Sequence, residues 1–199
     1  MTVNAGVALI YFICLGWVKN VDTSTLAFDI AQFFLSLNHK PFPHIFNKTG
    51  FNLKILRFFQ NYLVGWKAKY VWNSFSSSFF NIDIGVGQGL ALSPILFAFY
   101  IALILHIFEN WLKFLKILIF FLSFVNNSLL VFQNKSLTVL NSFLFCSYQI
   151  IFSLLNRFGL KLEHEKTEVF HFLRSTGLFN PPPLNLSPLD GPILQLKNS

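Results

Sequence analysis

Charge is what this sequence has least of. Only 12% of its 199 residues are Asp, Glu, Lys or Arg, with 8 acidic residues against 15 basic ones. The net charge of +7 has the sign of a polyanion binder, but charges this sparse form no dense basic patch. Cysteine is nearly absent. Cys14 and Cys146 stand far apart in no pairing pattern, which argues against a disulfide framework and against a zinc site. The five histidines, His39, His44, His106, His164 and His171, share no ligand spacing and read as core-edge or surface residues. Met1–Gly6 has no basic lead-in, so the apolar Val7–Val18 lacks the mark of a signal peptide.

Apolar residues fill the gap. Phe alone accounts for 27 positions, and the mean hydropathy is +0.56. At this length there is room for one domain with a real core. Residues 84–108, 117–134 and 136–156 carry no formal charge and are long enough to be read as membrane spans. Asn126, Asn127, Gln133, Asn134 and Asn141, with many serines, interrupt the last two and suit lipid poorly. A buried core is therefore the first reading and a small multi-spanning membrane protein the alternative.

The order of elements follows from pattern and punctuation. Leu26–Ile30 reads as a buried strand with Asp29 near its end. Helical periodicity runs from Ser36 to Gly65, broken by Pro41, Pro43 and Gly50, with a helix over 51–64. Lys67–Trp72 and Phe79–Gly85 read as a hairpin, in which Lys67 and Lys69 beside Tyr70 and Trp72 offer phosphate contact and stacking surface. Gly85, Gly87 and Gly89 then precede Ser93-Pro94, a good cap and first turn for a helix over 93–112. Asn126-Asn127 is a tight turn between strands at 118–125 and 128–133. A helix over 137–158 stops at Gly159, and Leu160–Leu173 reads as a strand pair. Pro181-Pro182-Pro183, Pro188 and Pro192 mark 175–199 as an extended tail.

Four short motifs carry a resemblance. Gln88-Gly89 with Leu92-Ser93-Pro94, Leu96-Phe97 and Tyr100 resembles the nucleotide-binding segment of reverse transcriptases, and more narrowly of non-LTR (LINE-type) retrotransposons of filamentous fungi. Ala27-Phe28-Asp29-Ile30-Ala31-Gln32-Phe33-Phe34, Phe124-Val125-Asn126-Asn127-Ser128 and Glu165-Lys166-Thr167-Glu168-Val169-Phe170-His171-Phe172 are the other three, in the order the family has them. The resemblance implies an α/β (α+β) fold, a polymerase palm-like antiparallel sheet covered by helices. Residues 23–174 are then the palm-like core, 1–22 a remnant of the fingers or an N-terminal extension, and 175–199 the tail. Most of the fingers and the thumb are expected to fall outside the chain.

Function follows from the same comparison: RNA-directed DNA synthesis on an RNA template and DNA primer, inside the cell. By resemblance Asp29 is a magnesium ligand helped by the carbonyl of Ile30, and Phe34 is the residue that excludes a ribose 2′-OH. Gln88 and Gly89 line the nucleotide, and Lys166 lies near its triphosphate. Hard cations need anionic oxygens, and polymerases clamp the reacting oxygens between two of them. The family's turn reads Asp-Asp-Gly where this chain has Asn126-Asn127-Ser128, so two negative charges are gone and catalysis is expected to be lost. A non-catalytic nucleic-acid-binding remnant is the other alternative.

The departures from the family pattern share a chemistry, except Gly87, where the wider family has Pro. Asp to Asn and Gly to Ser are G→A changes, while Ser to Leu at Leu90 and Pro to Leu at Leu35 are C→T changes. Both are one event read from opposite strands, as cytosine deamination of repeated DNA produces. Leu90 is therefore expected to be coded by TTA or TTG, with third positions rich in A and T. Sequencing the gene checks this, and CTC or CTG at Leu90 in a balanced coding sequence would remove its support.

Overall fold

The computed structural model describes residues 3–48, 52–87, 89–114, 119–124 and 126–174. In chain order the elements are α1 (Val3–Val18), β1 (Asp22–Ala31), α2 (Phe33–Ser36), α3 (Phe42–Lys48) and α4 (Leu53–Leu63). Four two-residue strands follow: β2 (Lys67–Ala68), β3 (Val71–Trp72), β4 (Phe75–Ser76) and β5 (Phe80–Asn81). Then come α5 (Ser93–Phe114), β6 (Ile119–Phe124), β7 (Asn127–Asn134), α6 (Leu137–Arg157) and β8 (Lys161–Phe172). The chain divides into two compact units, one of Met1–Ala31 with Leu105–Ser199 and one of Gln32–Ile104.

The first unit is built on an antiparallel sheet ordered β6-β7-β1-β8. Strand β1 is central and nearly buried along its whole length, with Leu26 and Ile30 in the core. Its partners are in firm register, Leu26 opposite Leu130 on β7 and opposite Val169 on β8. The uncharged run at 117–134 is thus explained by two strands, and reading it as a membrane helix is corrected. Helices α5 and α6 remain long and apolar enough to cross a membrane by length and composition, a test that core helices also pass.

Both faces of the sheet are covered. Helix α6 buries Leu140, Leu144, Tyr148, Ile151 and Leu155 and packs on β1, β7 and β8. It ends at Gly159 (φ +76°), where Leu160 N–H donates to Leu155 O and Gly159 N–H to Asn156 O, the double closure that satisfies a helix's last carbonyls. Helix α1 takes the other face. Phe12 stacks on Phe120, and Gln133 Nε2 donates to Phe12 O. The approach is close at Gly16, where a Cβ would stand 2.7 Å from Gln133 Nε2. Sequence pattern gave no motif for this helix because apolar residues ring it on all sides. Another correction concerns Leu160–Leu173, which forms one strand rather than a pair, since β8 runs unbroken from Lys161 to Phe172.

In the second unit α3 and α4 pack through Phe46 and Phe59, stacked 4.6 Å apart. Asn52 caps α4 by accepting from Ile55 N–H at 3.0 Å. The hairpin expected at 67–85 is a ribbon of two short ladders, β2 with β5 and β3 with β4, so the turn is at Asn73-Ser74 rather than across Asn73–Ser78. Gly85 (φ +91°) donates to Leu37 O, and a Cβ there would meet Leu35 O at 3.0 Å, so only glycine suits the position.

Leu26→Ala should cost about 2–5 kcal/mol of stability, because it empties the middle of the central strand. The exposed Val18→Ser should stay within about 0.5 kcal/mol. Urea denaturation followed by circular dichroism measures both.

Candidate active site

Asp29 lies near the end of β1, 7% exposed, at the point where β7 begins. Asn127 is its register partner on that neighbouring strand. The adjacency of Asp29 and the Asn126-Asn127 turn, expected from sequence, is therefore present. Asn126 Nδ2 donates to Asp29 Oδ1, and Ile30 N–H donates to Asn126 O at 3.0 Å, so backbone and side chain fix the turn together. Asn127 is exposed, and its amide reaches Asn126 Oδ1 only at 3.5 Å.

The second oxygen of Asp29 is engaged as well. Lys166 Nζ donates to Asp29 Oδ2 at 3.0 Å. Local geometry puts it there. Ala27 pairs with Glu168 and Asp29 with Glu163, so two steps along β1 answer to five along β8. The excess residues bulge out of the ladder and re-aim the strand's side chains. Thr167 Oγ1 closes the bulge by donating to Glu163 O at 3.0 Å. Sequence reading placed Lys166 beside a triphosphate and missed its partner, and it missed Glu163 next to Asp29 altogether. No residue pattern announces a bulge of this length.

A divalent cation requires anionic oxygens free to face it. Here the carboxylate of Asp29 turns one oxygen to an amide and the other to an ammonium. Glu163 adds its field to that same ammonium. Among the described residues no group of three or more His, Cys, Asp or Glu could hold a metal ion. The residues present do not fit the two-metal centre that the resemblance implies.

Of the nucleotide-side residues, Ile30 belongs to the first unit, and Phe34 and Gly89 belong to the second. Phe34 is half-buried, its ring 6.2 Å from that of Phe97, and its carbonyl accepts from Val86 N–H at 2.7 Å. Gly89 takes φ +88° in open space, and Ser93 Oγ donates to Gly87 O at 2.7 Å. Gln88 lies outside the described residues.

Hydrogen bonding and attraction from Asp29 hold the Lys166 ammonium above the ordinary lysine value. A raised lysine contributes stability below the unfolded value of about 10.4 and loses it as pH climbs through the folded value. The side chain is 64% exposed, so solvent screening keeps that contribution small. An NMR titration of ¹³C-labelled lysine should show Lys166 as a late-titrating amine that moves down in Asp29→Asn. An unmoved resonance would mean the pair does not form in solution.

A family model described as reverse transcriptase (RNA-dependent DNA polymerase) matches residues 17–189. No curated protein matches the chain. Telomerase from Candida tropicalis, solved with a TWJ fragment of telomeric RNA, superposes with TM-score 0.65 at 14% identity, over 85% of this chain and 29% of that one. Apo telomerase of the same organism, truncated from its C-terminal domain, gives 0.56 at 14% identity, over 85% of this chain and 35% of that one. The chain thus spans about a third of these proteins, and at such identity the likeness concerns the fold: a palm-like antiparallel sheet with helices. Motif order and the match over 17–189 identify the chain as a member of the reverse transcriptase family.

Proposed function

We propose that this chain is the palm of a LINE-type retrotransposon reverse transcriptase in which metal-dependent DNA synthesis has been lost. Asp29, Asn126, Asn127 and Lys166 are the residues of the former catalytic centre, and Ile30, Phe34, Gln88 and Gly89 those of the nucleotide site. RNA template and DNA primer are the ancestral partners, and the core of the domain spans 23–174. One observation carries the reading: both oxygens of Asp29 are held by N–H donors of this chain's own side chains.

Charge balance explains why this matters. Two dications about 3.5–4 Å apart repel strongly unless carboxylates stand between and around them. The turn that carries such groups in the family carries amides here, and the ammonium of Lys166 already neutralises Asp29. Loss of several kcal/mol of transition-state stabilisation slows the reaction by roughly a thousandfold or more.

Primer extension on an RNA template should be undetectable with magnesium or manganese, and Asp29→Ala should change nothing. Template-dependent incorporation that Asp29→Ala abolishes would refute the proposal. In the same way, the melting temperature of the natural chain should ignore magnesium. Restoring both carboxylates, Asn126→Asp with Asn127→Asp, should add about 1.4 kcal/mol of magnesium-dependent stability at roughly tenfold excess over Kd. Indifference of that double variant to magnesium would show that the amides are not the cause.

A further inference from the structure

Strand β6 is an outer strand of the four-stranded sheet and pairs with β7 alone. One bond fixes which of its backbone groups are spent. Ile30 N–H donates to Asn126 O at 3.0 Å, so the even-numbered residues along β7 turn their N–H and C=O to β1. The odd-numbered Asn127, Leu129 and Val131 therefore turn theirs to β6, where Phe124, Leu122 and Phe120 are their register partners. Ile119, Phe121 and Ser123 point their N–H and C=O away from the sheet. Among the described residues none of these groups has a partner.

The side chains at this edge are half covered on both faces. Ile119, Phe120, Phe121 and Leu122 are each half-buried, and Ser123 is exposed. Phe120 stacks on Phe12 of α1, and beside them a groove of about 230 Å³ is lined by Phe12, Ile119, Phe120, Val131 and Gln133. Tyr11 lies edge-on to Phe12 and is 62% exposed. Covering such an edge takes a strand that is apolar on both faces and offers backbone groups at every second residue. Two copies of this chain, each carrying +7, can meet here without placing like charges opposite one another, because β6 has no charged side chain.

We propose that this chain forms a two-fold dimer in which β6 of one copy pairs antiparallel with β6 of a second, with Phe121 on the axis. Within β6 this register alone uses every outward group: Phe121 pairs with its own counterpart, and Ile119 with Ser123 of the second copy. The axis stands perpendicular to the sheet, so the two four-stranded sheets run on as one with like faces aligned. Leu122 of the second copy then lies opposite Phe120, next to the groove. An unrelated strand would have to reproduce this spacing and two-sided apolarity, which β6 itself has. Pairing consumes the β6 edge of both copies, so the assembly closes at two.

Sedimentation velocity of the full chain from about 1 to 100 µM should show monomer passing to dimer and nothing larger. Phe121→Lys and Phe121→Glu each bring like charges together on the axis and should weaken the dimer at least about tenfold, while a mixture of the two should pair. Ser123→Pro decides the matter if those variants misfold. It removes an outward N–H, leaves the bonds to β7 intact and suits an edge strand, so melting should hold while the dimer weakens at least about tenfold. Amide exchange followed by NMR should slow at least about tenfold at Ile119, Phe121 and Ser123 as the dimer forms, with Phe120 and Leu122 protected throughout. A chain still monomeric at about 100 µM overturns the proposal. So does a dimer that Ser123→Pro leaves within about twofold, the sign of association through the exposed side of α1 instead. A dimer that forms without slowing exchange at the three amides, or open-ended aggregates in place of a dimer, overturns it as well.

Discussion

A strand hydrogen-bonded along both edges is the constraint on which the sheet and its site depend. Strand β1 pairs with β7 on one side and β8 on the other, so its backbone groups are satisfied and its side chains lie under helices on both faces. A carboxylate at the end of such a strand has little water to turn to. Burial of an ionised group is tolerated only where donors replace the lost hydration. The amide of Asn126 and the ammonium of Lys166 are those donors.

This gives the two asparagines a structural meaning besides the catalytic one. With aspartates in the turn and no cation between them, Asp29 would face a like charge at contact distance. The Asn126 amide makes a hydrogen bond where a carboxylate would repel, so an amide at this position suits the metal-free fold. Stability and activity commonly trade in this direction at strained catalytic sites. On the proposed reading, a palm-like sheet stays well formed without its chemistry.

How much of this could be read from the sequence depended on how local the cause was. The closeness of Asp29 to the turn was legible through the resemblance, whose motifs put the two on neighbouring strands of one sheet. The stop at Gly159 was legible from the residue alone, which has one conformational need. Lys166 was not, since its direction comes from a bulge between strands far apart in the chain. Helix α1 was not either. With Val3, Val7, Ile10, Tyr11 and Val18 exposed and Phe12 and Gly16 turned inward, its composition shows no stripe to follow.

The two outer strands of the sheet differ in one further respect. Strand β8 carries Lys161, Glu163, Glu165, Lys166 and Glu168 in twelve residues, and its bulge bends it out of line. Strand β6 reads Ile-Phe-Phe-Leu-Ser-Phe, with no charge at all. Unpaired edges invite another strand to add itself, and charges and bulges are the usual deterrents. Among the described residues, one edge strand of this sheet carries charges against templated growth, and the other carries none.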